Sequence, residues 1–254
     1  RMHAPKPLRV GWFTYGTPAE TGAKPESWSF TETEKGGVRI WQEPEEGVPY
    51  VLGGDTAGEG SDCFTAFVID NRTGRQVAEL QQRQSEILYA RQIYCLGRYY
   101  NDALAAVEVN FSTYPERKLE EWEYPSLYQR ERFDTYANTM VKAFGWETSG
   151  KTRPQALAQL HTVMEESPEL VVSQWTLGEM VVFVYDAHGK PQAAVGEHDD
   201  LVMAAAITHT ARTQQRYTVQ ETAGSRKHWT PDMWEDWRRA DPETRKYLEK
   251  KWAR

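Results

Sequence analysis

The chain has 254 residues, 39% of them apolar and 26% charged, with a formal net charge of −7. That length can bury a sizeable core, and the acidic balance excludes a protein that coats nucleic acid through bulk charge while leaving room for a local basic face. No apolar run approaches a membrane span, and the N-terminus RMHAPKPLRV lacks the apolar middle of a signal peptide, so a cytoplasmic, non-membrane location is expected. Two cysteines, Cys63 and Cys95, without CxxC pairing, support neither a zinc site nor a disulfide framework.

In chain order, residues 1–37 read as an extended entry segment rich in Gly, Pro, Thr and Glu, leading to an edge strand at VRIW. From Val48 the pattern sharpens into three short strands: PYVLGGDTA, CFTAFVIDNRTG and RQVAELQQR. Tight turns between them predict an antiparallel meander. SEILYARQIYCLGRYYN carries apolar residues at helical spacing behind Ser85, which predicts a capped helix. The strand that follows, DALAAVEVN, is reached by a helical crossover and is expected to run parallel to an earlier one. PERKLEEWEY reads as a short polar helix, WTLGEMVVFVYDAHGKPQAAVG as a hairpin and HDDLVMAAAITHTAR as a helix. This order predicts an α/β fold, a ribonuclease H-like mixed sheet in which the antiparallel three-strand meander is extended by parallel strands and flanked by helices.

The expected organisation is an entry segment (1–37), a nuclease domain (38–212) and a helical tail (213–254). The tail offers two helix starts, Thr230-Pro231-Asp232 and Asp241-Pro242-Glu243, each with proline at the first helical position. Its Trp234, Trp237, Tyr247 and Trp252 are interleaved with basic residues, a pattern that suits stacking on DNA, docking on a protein, or packing back on the core.

Three acids carry the chemistry. Asp55 ends the first strand of the meander, Glu108 ends the strand after the crossover, and Asp200 opens the last long helix behind Glu197 and Asp199. Adjacent strands would aim Asp55 and Glu108 into one crevice. Gathered carboxylates repel one another and raise their own pKa values unless cations neutralise them. Oxygen-only ligands select Mg²⁺ or Mn²⁺, and two such ions about 3.5 to 4 Å apart can activate water and stabilise the leaving oxygen of a phosphodiester. Asp200 ranks first on its helix; Glu197, three residues earlier, is expected on the same face, and both Glu197 and Asp199 are candidates for a second ion. His198 is a candidate proton carrier or a solvated residue. Each acid also has a bland reading, Asp55 as a turn residue, Glu108 as an exposed strand residue, and Asp199 and Asp200 as helix-capping acids.

Residues 145–152, GWETSGKT, match every letter of a phosphate-binding loop. Such a loop needs a buried strand before its first glycine, yet YANTMVKAFGW reads as helical, and Glu147 brings negative charge where a phosphate would sit. The stretch is therefore read as a turn capped at Thr152, not as a nucleotide cradle.

The segments VLGGDTAGEGSDCFTAFVID, AAVEVN, FGWETSGKTRP and GEHDDLVMAAAIT resemble, in order, the C-terminal nuclease domain of the large terminase subunit of tailed bacteriophages, over roughly residues 38–212. The resemblance implies a divalent-metal-dependent endonuclease that cuts double-stranded DNA during viral genome packaging in the host cytoplasm, with metal-binding acids at Asp55, Glu108 and the Asp199–Asp200 pair. It also implies as partners a terminase ATPase domain absent from this chain, a small terminase subunit and a portal protein. Lys151, Arg153 and Lys190, on loops expected near the site, are candidates for steering the DNA backbone. Rival readings are a junction resolvase or transposase-like nuclease of the same fold, an actin-like or sugar-kinase-like ATPase, and a packaging module without activity. The chain reads as a piece of a longer protein.

Overall fold

A computed structural model describes residues 4–17, 22–56, 63–83, 85–134, 138–186 and 189–215, with isolated positions between 230 and 252. It divides into two compact units, Arg1–Gln215 and Arg216–Arg254. Among the described residues of the first, eleven strands and five α-helices follow one another as β1 (Arg9–Thr14), β2 (Ser29–Glu32), β3 (Val38–Ile40), β4 (Tyr50–Asp55), β5 (Phe64–Asp70), β6 (Gln76–Gln82), α1 (Glu86–Tyr99), β7 (Leu104–Val107), α2 (Tyr114–Glu121), β8 (Gln129–Asp134), β9 (Thr139–Phe144), α3 (Thr152–Glu166), α4 (Gln174–Val181), β10 (Phe183–Tyr185), β11 (Pro191–Ala193) and α5 (Asp200–Ala211).

Seven strands form one sheet in the order β2-β1-β3-β6-β5-β4-β7. The β4-β5-β6 meander is antiparallel and β7 pairs with β4 in parallel, the mixed ribonuclease H-like arrangement expected from the order of elements. The entry segment differs from its sequence reading. β1 and β2 continue the sheet, and β3, expected at the edge, lies between β1 and β6. Its alternation explains this, because Val38 and Ile40 are fully buried while Arg39 lies between them.

The central strands are apolar on both faces because both faces are covered. Tyr50 and Leu52 of β4, Ala66 and Val68 of β5, and Ala105 and Val107 of β7 join Tyr89, Ile93 and Leu96 of α1 in one core cluster. The alternate residues, Val51, Phe67, Ile69, Leu104 and Ala106, join Ala204, Ala205 and Ile207 of α5 and Ala156 and Leu160 of α3 in the other. A period of two on each strand thus feeds two cores.

α5 is buried on nearly every side, as its unbroken apolar composition requires. It lies unusually close to the sheet: a Cβ placed on Gly53 would stand 2.4 Å from Thr208 Oγ1 and 2.7 Å from the Ala204 carbonyl oxygen. The Gly53 N–H donates to Thr208 Oγ1 at 2.9 Å, locking strand to helix.

Two local expectations change. YANTMVKAFGW is not helical; Thr139–Phe144 is β9, paired antiparallel with β8 in a separate two-stranded ribbon. Cross-strand pairing with β8 overrides the spacing of its apolar residues. The supposed hairpin 175–196 begins as α4, whose Ser173 cap accepts hydrogen bonds from the N–H groups of Trp175 and Thr176, and only β10 and β11 form a hairpin. A serine cap of this kind satisfies the free N–H groups of a first helical turn.

In the second unit, Met233, Asp236, Thr244, Leu248, Lys251 and Trp252 are helical, and Thr230 Oγ1 accepts a hydrogen bond from the Met233 N–H at 3.3 Å. Trp234, Trp237 and Tyr247 lie outside the described residues. Cys63 and Cys95 are both buried and unpaired, and among the described residues no helix is long and apolar enough to cross a membrane.

Candidate metal centre

The register of β4 and β7 decides where the first two acids fall. Gly54 is opposite Val107, so the next residues, Asp55 and Glu108, leave the carboxyl end of the parallel pair side by side. The Glu108 N–H donates to the Gly54 carbonyl at 2.8 Å, and its other side is fixed by a bridge to Trp146. Both carboxyls are buried, at 9% and 3% exposure. Asp200 is the first residue of α5 and is also buried; its Oδ2 accepts from the Cys63 N–H at 2.9 Å, and its carbonyl accepts from Thr65 Oγ1 at 2.8 Å. β5 thereby pins the start of α5 beside the ends of β4 and β7.

The electrostatics follow from this crowding. Burial holds the Asp55 carboxyl well above the usual carboxylate range, and the Glu108 charge, a hydrogen bond shared with Glu108, and the charges of Asp200 and Asp199 push it the same way. Thr56 Oγ1 donates to Glu108 Oε2 at 3.4 Å. Among the described residues no group of three His, Cys, Asp or Glu side chains stands at metal-holding spacing; Asp55 and Glu108 are instead turned towards each other. The donor set is all oxygen and buried, and a hard divalent cation is the kind of ion such donors suit.

The remaining candidates separate. Asp199 is the N-cap position of α5 and forms an ion pair with Arg153, Nη2 to Oδ2 2.9 Å. Glu197 is exposed and precedes the N-cap, so the expectation that it shares a helical face with Asp200 does not hold: the helix has not yet begun. His198 Nδ1 is 3.8 Å from Asp200 Oδ2. Lys151 is exposed at the N-cap of α3, and Lys190 is exposed where β10 turns into β11.

Glu179, on α4, is a neighbour that sequence reasoning missed. Its Oε2 accepts from the N–H groups of Leu201 and Val202 at 2.7 and 3.3 Å, capping α5 from outside its own chain segment. Burial pushes its carboxyl up to about 7, against these two hydrogen bonds and with Asp200 and Asp199 adding to the rise. The Ser173 cap was the available signal that its surroundings are helical.

In the phosphate-loop look-alike the N–H groups of residues 148, 149, 151 and 152 are already committed. Ser149 Oγ accepts from the N–H groups of Lys151 and Thr152, Thr152 Oγ1 accepts from the Ser149 N–H, and Asn110 Oδ1 accepts from the Thr148 N–H. The true N-cap position is Lys151, with Thr152 already helical. A phosphate cradle needs those N–H groups free and convergent. The stretch instead carries Trp146, which bridges to Glu108 and so positions the acid site.

No family model matches the sequence, and no curated protein matches it. Solved structures do. The large terminase nuclease from thermophilic phage G20c with bound magnesium is 17% identical over 70% of this chain and 89% of its own, with a TM-score of 0.55. The same nuclease with bound cobalt gives 16%, the same coverage and 0.54. The Thermus phage P74-26 large terminase nuclease domain is 19% identical over 70% of this chain and 86% of its own, with a TM-score of 0.52.

Proposed function

We propose that this chain, which has the ribonuclease H-like fold of those phage nucleases, is itself the nuclease domain of a phage large terminase subunit, a divalent-metal-dependent endonuclease that cuts double-stranded DNA during genome packaging. The observation that carries the reading is the buried meeting of Asp55, Glu108 and Asp200 at the ends of β4 and β7 and the start of α5. Burying Asp55 against Glu108, with the Asp200 charge close enough to act on it, costs stability, and a bound cation would offset that cost.

Asp55, Glu108 and Asp200 would hold Mg²⁺ or Mn²⁺, with Asp199 as the candidate for a second ion and Arg153 orienting it. Bound ions of this kind supply activation of a water and charge stabilisation at the leaving oxygen. The protein's own part is positional. The Cys63 N–H aims Asp200 Oδ2, Thr56 Oγ1 aims Glu108 Oε2, and β4 and β7 hold their acids in register. His198, at 3.8 Å from Asp200 Oδ2, is a candidate to orient that carboxylate. Because phosphate contacts position without reading bases, cutting is expected to show little sequence preference. The host cytoplasm, a terminase ATPase domain, a small terminase subunit and a portal protein complete the proposed setting.

Incubating the purified chain with plasmid DNA, with Mn²⁺ or with EDTA, tests the reading. Cutting is expected only with Mn²⁺, and Asp55→Asn, Glu108→Gln and Asp200→Asn are each expected to abolish it in a chain that still melts cooperatively. Near-normal cutting by any of the three removes that residue from the site, and a wild type inert in every divalent metal overturns the assignment.

A further inference from the structure

The acid site has a neighbour of opposite character. Cys63, whose N–H holds Asp200, also lines a cavity of about 360 Å³ between the β2–β3 turn and the end of β6. Among the described residues that line it, the charged side chains are Lys35, Arg39 and Arg83. Arg39 is already committed: it pairs with the buried Glu79 at 2.8 Å and stacks over Trp175 at 4.0 Å. Lys35 and Arg83 are exposed and form no ion pair among the described residues. The Arg83 Nε–H reaches Cys63 Sγ at 3.5 Å, which sets the guanidinium one residue's width from the loop that grips Asp200.

A second observation points into the same place. Gln82, 4% exposed, lines the cavity, and neither its amide nitrogen nor its amide oxygen has a hydrogen-bond partner among the described residues. A buried amide left so is costly, and a polar ligand or ordered water offsets that cost. In a chain of net charge −7, a cleft whose charged lining among the described residues is cationic is a place where a polyanion meets little repulsion. The floor is close-packed, since a Cβ on Gly37 would stand 2.4 Å from the Gln81 carbonyl oxygen, so the loop carrying Lys35 is seated on β6 and cannot be rebuilt with larger residues.

We propose that this cleft is a backbone subsite of the nuclease, in which Lys35 and Arg83 hold a DNA phosphate neighbouring the one that is cut, and so set the register of the strand over Asp55, Glu108 and Asp200. The proposal rests on the nuclease reading for its purpose and on the cleft's charge and geometry for its place. Lys35 and Arg83 are positioning residues; neither touches the acids' carboxyl oxygens in any hydrogen bond or ion pair among the described residues.

The test is the salt dependence of binding by the full chain to a fluorescent DNA duplex, read by anisotropy in Ca²⁺. Each phosphate contact contributes about 0.9 to the slope of log affinity against log salt. Lys35→Ala and Arg83→Ala are each expected to lose about 3.5-fold less affinity than wild type between 50 and 200 mM salt, at unchanged melting temperature, and Arg83→Lys is expected to keep the wild-type slope. An unchanged slope in Lys35→Ala, which disturbs no contact of Cys63, overturns the subsite, as does a wild type that binds no duplex. Inorganic phosphate that stabilises the chain through Lys35 while the duplex slope stays fixed marks a small-anion site and overturns it too. Plasmid cutting in Mn²⁺ is scored separately: a wild type that cuts while both alanine variants keep its slope removes the subsite alone, and one that binds through Lys35 and Arg83 but never cuts removes the nuclease reading alone.

Discussion

His209, a buried side chain on α5, is expected to contribute to the acid response of the fold. It is 1% exposed on α5, packs beside Phe67 with ring centroids 6.0 Å apart, and neither ring nitrogen has a partner among the described residues. Burial, and after it the charge of Arg212, lowers its pKa from 6.5 to about 4. The folded chain therefore keeps the ring neutral, whereas the unfolded chain protonates it below about 6.5. Stability contributed by this histidine is complete above that pH and is lost as pH falls from 6.5 towards about 4, a span worth about 3 kcal/mol at about 1.36 kcal/mol per unit. Urea midpoints measured at pH 7.5 and pH 5 are expected to fall on acidification in wild type by more than in His209→Phe, which keeps the ring contact and cannot charge. Equal drops in the two proteins would remove His209 from the acid response.

At the scale of elements, the joint between β4 and α5 sets how the site is held. Gly53 leaves no room for a side chain, and the atoms a Cβ would strike include the Thr208 amide nitrogen at 2.6 Å and the Ala204 carbonyl oxygen. Gly54, one residue on, would meet chiefly the far end of the Tyr89 side chain. Gly53→Ala must lift the helix that carries Asp200, so it is expected to cost about 2 to 3 kcal/mol and to reduce Mn²⁺-dependent cutting beyond the loss in Gly54→Ala. Urea denaturation and the plasmid gel read the two effects, and equal behaviour of the two variants would contradict the joint. Legibility follows the same division. The meander, the parallel β7 and α5 were readable because each strand or helix is apolar with a clear period and bounded by Gly, Asn or Asp. β9 was misread because Met140, Val141, Ala143 and Phe144 suit either period in so short a run and their fate is set by β8. α4 was misread because its apolar residues run into those of β10 without a break. The Asp55–Glu108 pairing was legible from topology; Glu179 was not, because a cap contributed from another helix leaves no mark on the sequence it caps.

On the scale of the whole chain, the fold ends where its contacts end. Gln215 closes the first unit, donating from Nε2 to the Tyr50 carbonyl at 2.9 Å and accepting from Asn71 Nδ2 at 2.8 Å. Residues 216–254 cluster apart from it. Deleting residues 225–254 removes none of Asp55, Glu108 and Asp200 and, among the described residues, none that hydrogen-bonds them, so cutting of plasmid DNA is expected to stay within about tenfold, a barrier change below about 1.4 kcal/mol. A larger loss in a truncated chain that keeps its circular dichroism would make the tail part of the DNA-binding surface.

The seating of α5 on β4 also bears on timing during synthesis. Asp55 and Asp200 are separated by most of the unit's length along the chain, yet Gly53 and Thr208 lock their elements together. A ribosome that has released the meander, the crossover and β7 has made two of the three acids and no working centre. Long-range contacts of this kind form late, because the loop between them must close first. On the proposed nuclease reading, competence to cut arises only when α5 docks, so activity doubles as a report that the first unit has folded.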